Sequence, residues 1–356
     1  MNSTTLIRIL LLLSLTLSLA AAAPWDCSAI LSAQPVLAQE ESKPQQRRPT
    51  APEEPEDQEV VKGQSAISVS VDLVSLQVLV TDTKGNVLTG LKPENFTIYE
   101  DNVKQEISNF SPVEAGITAV LLVEFSRNVE YFITDVWNAM YSFANSLRKE
   151  DWVAVIGYDM RPTILCDFTR DRRELEEALR RFTIPVSDDS NLSDALIDAL
   201  NRTDEIDGKV AIILLSTGLD TFSRHTYEQA LNKCKEANAS VYAISLGQYF
   251  RLRMEAAGYN PSIDLLMADN RLRSFADFTG GASYFPRFQT ELPGIFNNIS
   301  TLLRNQYSIA YASSNTRKDG KFRKIRVEVD AKLTDAKGKP IKLKVIHRKG
   351  YLAKEG

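Results

Sequence analysis

From residue 118 onward, short apolar runs alternate with stretches whose apolar positions recur at helical spacing. The runs at 118–123, 152–158, 210–215 and 241–246 have almost no polar alternation, as in strands buried on both faces. Between the first two, Ile133, Val136, Trp137, Met140, Phe143, Ala144 and Leu147 trace one face of a helix. Asp171 and Glu174 form a capping pair ahead of Leu175, Leu179 and Phe182. Residues 192–200 repeat the helical pattern, and Thr226 with Gln229 caps a further helix. A short helix at 272–278 ends on Gly280 and Gly281, and 283–285 makes a last short strand. Leu292, Ile295, Phe296, Ile299, Leu302 and Leu303 form a final amphipathic helix. Strands alternating with helices predict an α/β domain over residues 116–305, with a doubly wound, mostly parallel sheet.

The period changes on either side of that domain. Before it, Val69, Val71 and Leu73 alternate with polar residues, and the alternation restarts on the other parity at Val74, Leu76, Val78 and Val80. That slip predicts a bulge or bend. Turns at 82–86 and 100–102 make residues 66–115 a small β module. After the domain, strands are predicted at 307–312, 322–329 and 341–345, with turns at Asp319-Gly320 and Lys337-Gly338. Each set is marginal alone. Residues 66–115 carry 3 Lys against 7 Asp/Glu, a net −4, whereas 317–356 carry 14 Lys/Arg against 5 Asp/Glu, a net +9. The extension at 306–353 is therefore expected to pack on the N-terminal module as one β domain, with the α/β domain inserted into it. The lysines of the extension are read as solvated charges that block edge-to-edge pairing.

Composition adds a leader, a spacer and several exclusions. The 356 residues, 44% hydrophobic and 25% charged, fit a globular protein long enough for two domains. A net charge of −4 gives no argument for nucleic acid. Arg8 precedes an apolar run at 9–23 that is too short to span a bilayer comfortably, and small-residue sites follow at 20–23 and 36–38. Residues 1–38 are read as a signal-peptide region, and the mature chain as exported, periplasmic or extracellular, without a membrane span. The Pro-, Glu- and Gln-rich stretch 39–65 is a disordered spacer. Three cysteines make no disulfide framework: Cys27 lies beside the leader, and Cys166 and Cys234 are expected as two buried thiols on opposite sides of the sheet.

Ligands of open α/β sheets sit outside the carboxyl ends of the strands, where the strand order reverses. Three polar segments are predicted to converge there: Glu124-Phe125-Ser126-Arg127-Asn128, Asn191-Leu192-Ser193-Asp194 and Ser216-Thr217-Gly218-Leu219-Asp220. The segment 248–270 is read as a long loop on the same face. Its Tyr249, Phe250, Arg251, Arg253, Met254 and Tyr259 either contact a partner or pack the loop from within. Enzyme signatures are missing: the sequence has no glycine-rich phosphate loop, no G-x-S-x-G around Ser126 and no Cys/His cluster for zinc. A hydrolase built on Ser126 would need His225 as its base, and His225 reads as a solvent-facing residue at the start of a helix.

The motifs E-F-S-R-N, D-A-L-I-D-A-L and L-L-S-T-G-L-D together resemble the von Willebrand factor type A domain and its metal-ion-dependent adhesion site. Residues 88–110, with L-K-P-E-N-F-T-I-Y-E-D and Q-E-I-S-N-F, and residues 306–351 resemble the flanking modules of that family's secreted bacterial branch. The resemblance implies a divalent cation (Mg²⁺, Mn²⁺ or Ca²⁺) held by D-x-S-x-S, a Thr and a late Asp, with one position left for a partner's carboxylate. On those positions stand Glu124, Ser126 and Asn128, then Asp194 (Ser193 if the turn shifts by one), then Thr217, with Asp220 nearby. Only Ser126 is unchanged, so Glu124, Ser126, Asn128 and Asp194 are the metal ligands of a degenerate site, or polar caps of a metal-free one. The function expected is a non-enzymatic, adhesion-type protein–protein interaction module. Its binding residues are Glu124, Ser126, Asn128, Ser193, Asp194, Thr217, Asp220, Tyr249, Phe250 and Arg251. Metal-dependent capture of a partner carboxylate and a Ser126 hydrolase are the alternatives.

Overall fold

A computed structural model of the chain describes residues 73–111, 116–181, 187–256, 258, 263–331, 334 and 340–355. The leader, the spacer, the phase slip before Val74 and Phe182 lie outside the described residues, as do Tyr259 and the side chains of Tyr249, Phe250 and Arg253. In chain order, four strands come first: β1 (Leu73–Asp82), β2 (Phe96–Glu100), β3 (Val103–Gln105) and β4 (Ile107–Ser111). The α/β portion follows with β5 (Ile117–Glu124), α1 (Ile133–Ser146), β6 (Trp152–Tyr158), β7 (Pro162–Thr169), α2 (Arg172–Arg180) and α3 (Leu192–Asn201). It continues through β8 (Lys209–Ser216), α4 (Tyr227–Glu236), β9 (Ser240–Ser245), α5 (Gly247–Ala256), α6 (Ile263–Thr279), β10 (Ser283–Tyr284) and α7 (Leu292–Arg304). Four strands end the chain: β11 (Tyr307–Ala312), β12 (Phe322–Val329), β13 (Leu343–Ile346) and β14 (Gly350–Leu352).

The central sheet has the order β10-β9-β8-β5-β6-β7, parallel except where β7 runs against β6. Every residue of β5, β6, β8 and β9 is buried, which explains their unbroken apolar sequences. Successive side chains of β5 enter different cores. Ala119, Leu121 and Val123 meet α1, α2 and α7, while Val120 and Leu122 meet α3, α4 and α6. Cys166 borders the first core and Cys234 lies in the second, so the two free thiols are separated by the sheet. Cys166 is only partly buried, which corrects the expectation of two buried thiols.

Strands from the two ends of the chain interleave. β1 pairs with β11 and β13, β4 with β11, and β12 with β2 and β14, all antiparallel. The two resulting four-stranded sheets, β13-β1-β11-β4 and β14-β12-β2-β3, enclose Leu76, Val78, Ile98, Tyr307, Ile309 and Ile325. The fold class expected from the sequence is the one observed: a doubly wound, mostly parallel sheet flanked by a small β domain from both termini. The β domain meets the carboxyl ends of α4 and α6. There Arg348 Nη2 donates to the Lys235 carbonyl at 2.6 Å and the Lys349 N–H to that of Phe278 at 3.3 Å.

Two expectations need correction. Residues 248–270 are not an open loop, because α5 and an α6 of 17 residues occupy most of them. The helix expected at 272–278 is only the last part of α6. β7 is an edge strand with mostly half-exposed side chains, and its irregular polarity carries no clean strand signal.

Candidate functional site

β5 and β8 are neighbours, and the strand order leaves them in opposite directions toward β6 and β9. Glu124 and Ser216 are their last residues, so both stand at the switch point. The Glu124 carboxylate is buried and turned inward. It accepts Ser126 Oγ at 2.7 Å, Ser216 Oγ at 2.9 Å, the Thr217 N–H at 2.7 Å and Thr217 Oγ1 at 2.9 and 3.0 Å. Burial pushes its pKa up, while the bonds from Ser126, Thr217 and Ser216 pull the other way. Tyr158, the last residue of β6, donates to Ser216 Oγ at 2.8 Å. Its own burial and the nearby Glu124 charge hold that phenol protonated well above the usual range.

A second acid stands across the crevice. Asp220 Oδ2 accepts Ser193 Oγ at 2.5 Å and the Ser193 N–H at 3.1 Å. Asp220 Oδ1 and Ser190 Oγ are buried without a hydrogen-bond partner among the described residues.

The loops around this crevice are laced together. Asn191 donates from Nδ2 to the Met160 carbonyl at 3.0 Å and accepts the Phe222 N–H on Oδ1 at 3.1 Å. Its own N–H bonds the Asp159 carbonyl at 2.8 Å, and Thr221 N–H bonds that of Ser190 at 2.8 Å. Arg127 N–H donates to the Ser187 carbonyl at 2.8 Å, and Asn128 Nδ2 to that of Asp188 at 3.1 Å. Four separate loops are thus fixed to one another, with Phe222 (69% exposed) and Met160 (50% exposed) at the rim.

The structure therefore brings Glu124, Ser126 and Thr217 into one cluster and Ser193 with Asp220 into another. It does not bring Asp194 or Asn128 to either. Asp194 Oδ1 lies 2.7 Å from His225 Nδ1 and accepts the His225 N–H, while Oδ2 accepts that of Arg224. Slight burial favours its neutral form, but those N–H groups and the imidazole hold its pKa below the ordinary value. Arg251, expected at a partner contact, instead bonds Asp269 Oδ2 at 2.8 Å with both side chains largely buried. Ser245 Oγ donates to the other oxygen at 2.8 Å, so Arg251 ties α5 to α6. Tyr158 and Ser190 belong to the crevice and lie outside the polar segments read from the sequence, whereas Ser216 opens one of those segments without being singled out as a binding residue. Ser190 directly precedes the Asn191 segment, and Tyr158 ends an apolar run that reads as strand alone.

The residues expected to hold a divalent cation do not fit one. A carboxylate offers about four lone-pair positions, and those of Glu124 are taken by four protein donors. No group of three or more His, Cys, Asp or Glu side chains among the described residues could hold a metal. The hydrolase alternative finds no geometry either, because Ser126 is fully buried and donates to Glu124, while His225 faces Asp194.

Comparison with known proteins bears on the family. Solved structures similar in fold include the vWF domain of the type V pili tip protein Mfa5 from Porphyromonas gingivalis. It is 13% identical, with 53% of this chain and 95% of that one covered and a TM-score of 0.40. BatB, a conserved hypothetical protein from Bacteroides thetaiotaomicron, is 14% identical over 52% of this chain and 98% of that one, with a TM-score of 0.41. No curated protein matches the chain. The family model described as von Willebrand factor type A domain matches residues 133–220, which run from the start of α1 to Asp220 in the crevice. Over residues 133–220, then, the chain matches the von Willebrand factor type A domain.

Proposed function

We propose that the chain is an exported, non-catalytic module that binds a protein partner on the face at the carboxyl ends of β5, β6 and β8. The lacing of four loops through Asn191, Ser187 and Asp188 supports this reading most directly. Loops that serve only as connections need no such mutual fixing, whereas a binding surface gains affinity from being rigid before the partner arrives. The exposed Phe222 and Met160 give this face apolar anchors of the kind that dominate interface energetics. Export rests on the leader read at residues 1–38, and no described helix is long and apolar enough to cross a membrane.

The test compares proteins cross-linked in cells to the wild-type chain and to a Phe222→Ser/Met160→Ser variant of equal melting temperature. A partner captured by the wild type and lost from the variant supports the face. A partner kept by that variant but lost on Ile263→Ser/Leu266→Ser would move the binding surface to α6. Mass spectrometry of the N-terminus of the mature chain tests export: an intact Met1 in the cytosolic fraction overturns it.

A further inference from the structure

We infer that in this chain Glu124 has taken over the place of a cation, so that the partner-binding face works without metal and is not built to capture a partner's carboxylate. The inference rests on the carboxyl-end face being the binding surface. It begins with the length of the side chain. Glu124 reaches across the switch point from the end of β5 to the end of β8, where Ser216 Oγ, the Thr217 N–H and Thr217 Oγ1 all meet it within 3.0 Å. Ser126 completes the set from the Glu124 side. Thus the hydroxyls of Ser126 and Thr217, two positions where the family resemblance implied metal ligands, point their protons at a carboxylate.

The chemistry of the donor set excludes a simple remedy. A divalent cation of this class needs six or more oxygens, usually with more than one anion among them. The crevice oxygens without a hydrogen-bond partner among the described residues are one carboxylate oxygen, Asp220 Oδ1, and one hydroxyl, Ser190 Oγ. The other Asp220 oxygen is engaged by Ser193, and Asp194 faces His225 and the Arg224 N–H. The face also carries the wrong charge for its inherited task. An incoming carboxylate would meet Asp189 and Asp220, while Asp188 and Arg127 are already paired with each other at 3.5 Å, and like charges brought together in an interface oppose binding. A neutral or basic partner group meets no such opposition.

Calorimetric titration of the full chain with MgCl₂, MnCl₂ and CaCl₂ tests this, with melting temperature followed in parallel. The wild type is expected to show no saturable heat and no rise in melting temperature. Glu124→Asp/Thr217→Asp, which shortens the bridging carboxylate and supplies a second anion, is expected to gain saturable Mn²⁺ binding and a melting temperature that climbs with metal. Saturable binding by the wild type, abolished in Ser126→Ala, would overturn the inference. A double variant that keeps the wild-type circular dichroism yet binds no metal would show that Glu124 is not what closes the site, and would overturn it as well. Neither result touches the Phe222/Met160 experiment, so the metal-free reading and the binding-face reading fail separately.

Discussion

Arg304 Nη2 lies 2.8 Å from Asp151 Oδ2 at the amino end of the central sheet, and the Asp151 side chain is fully shielded from solvent. The same carboxylate accepts the Ile117 N–H at 3.0 Å and the Arg148 N–H at 2.7 Å. One acid thus fastens the start of β5, the turn before β6 and the end of α7. Arg304→Met should destabilise the chain by about 3 kcal/mol, because it leaves a buried charge without its ion pair. Urea denaturation checks this, and a loss indistinguishable from zero would show that the two N–H groups suffice.

Lys209 opens β8 beneath the same corner. Burial first, and then the Arg304 charge, lower its pKa from 10.5 to about 8. The folded state therefore holds this proton less tightly than the unfolded chain. The penalty is complete below about pH 8 and fades as pH rises toward 10.5. The stability of the wild type relative to Lys209→Met should climb over that window, while the buried thiols and phenols, whose pKa values the fold raises, pull the other way equally in both proteins. Parallel melting curves of the two proteins across the window would contradict this.

Glu124→Gln keeps the shape of the bridging side chain and removes its charge. Four donors then face a group that accepts through one oxygen and presents hydrogens on the other side. A loss of about 2 kcal/mol near neutral pH is expected. The wild-type pKa is raised by burial, so its native state binds the proton more readily than the unfolded chain. The stability this provides is complete below the ordinary glutamate range and is lost as pH rises through the folded value. The variant should lack that slope, as denaturant titrations at a series of pH values would reveal.

Gly280 follows α6 with φ +76°, and a Cβ there would collide with the backbone N of Arg348 and lie 2.6 Å from the carbonyl carbon of His347. This close approach joins the α/β portion to the β domain. Gly280→Ala should destabilise by about 2 kcal/mol or more, combining left-handed strain with a backbone clash. Gly85→Ala, also at positive φ but with open space around its Cβ, supplies the control with strain alone. Equal losses would show that the junction yields at no cost.

Much of the fold was legible because burial on both faces leaves a plain trace. The runs that became β5 and β8 could only be central strands, and Leu76, Val78 and Val80 lie in the β-domain core. The α5–α6 region was illegible for the opposite reason. Ile263, Leu266 and Met267 are apolar yet exposed, so apolar spacing does not mark the buried stripe of α6. At the site, the strand ends put the segments of Glu124 and Thr217 on one face, and the family resemblance singled out the two residues. It could not show that one added methylene lets Glu124 bond to Thr217 itself. Nor could it show that Asp194 turns to His225, a partner 31 positions away.

The interleaved β domain also governs when this protein can be complete. Gln77 on β1 bonds Ser308 on β11 across 231 positions, and β13 and β14 come later still. During synthesis β1 and β4 emerge with no mate yet made and β2 with only β3, while the α/β portion contains every strand its own sheet requires. Hairpin edges in that state are exposed to mispairing. A chain cut short before β11 would therefore hold every strand of its central sheet while β1 and β4 lack the partner that lies between them.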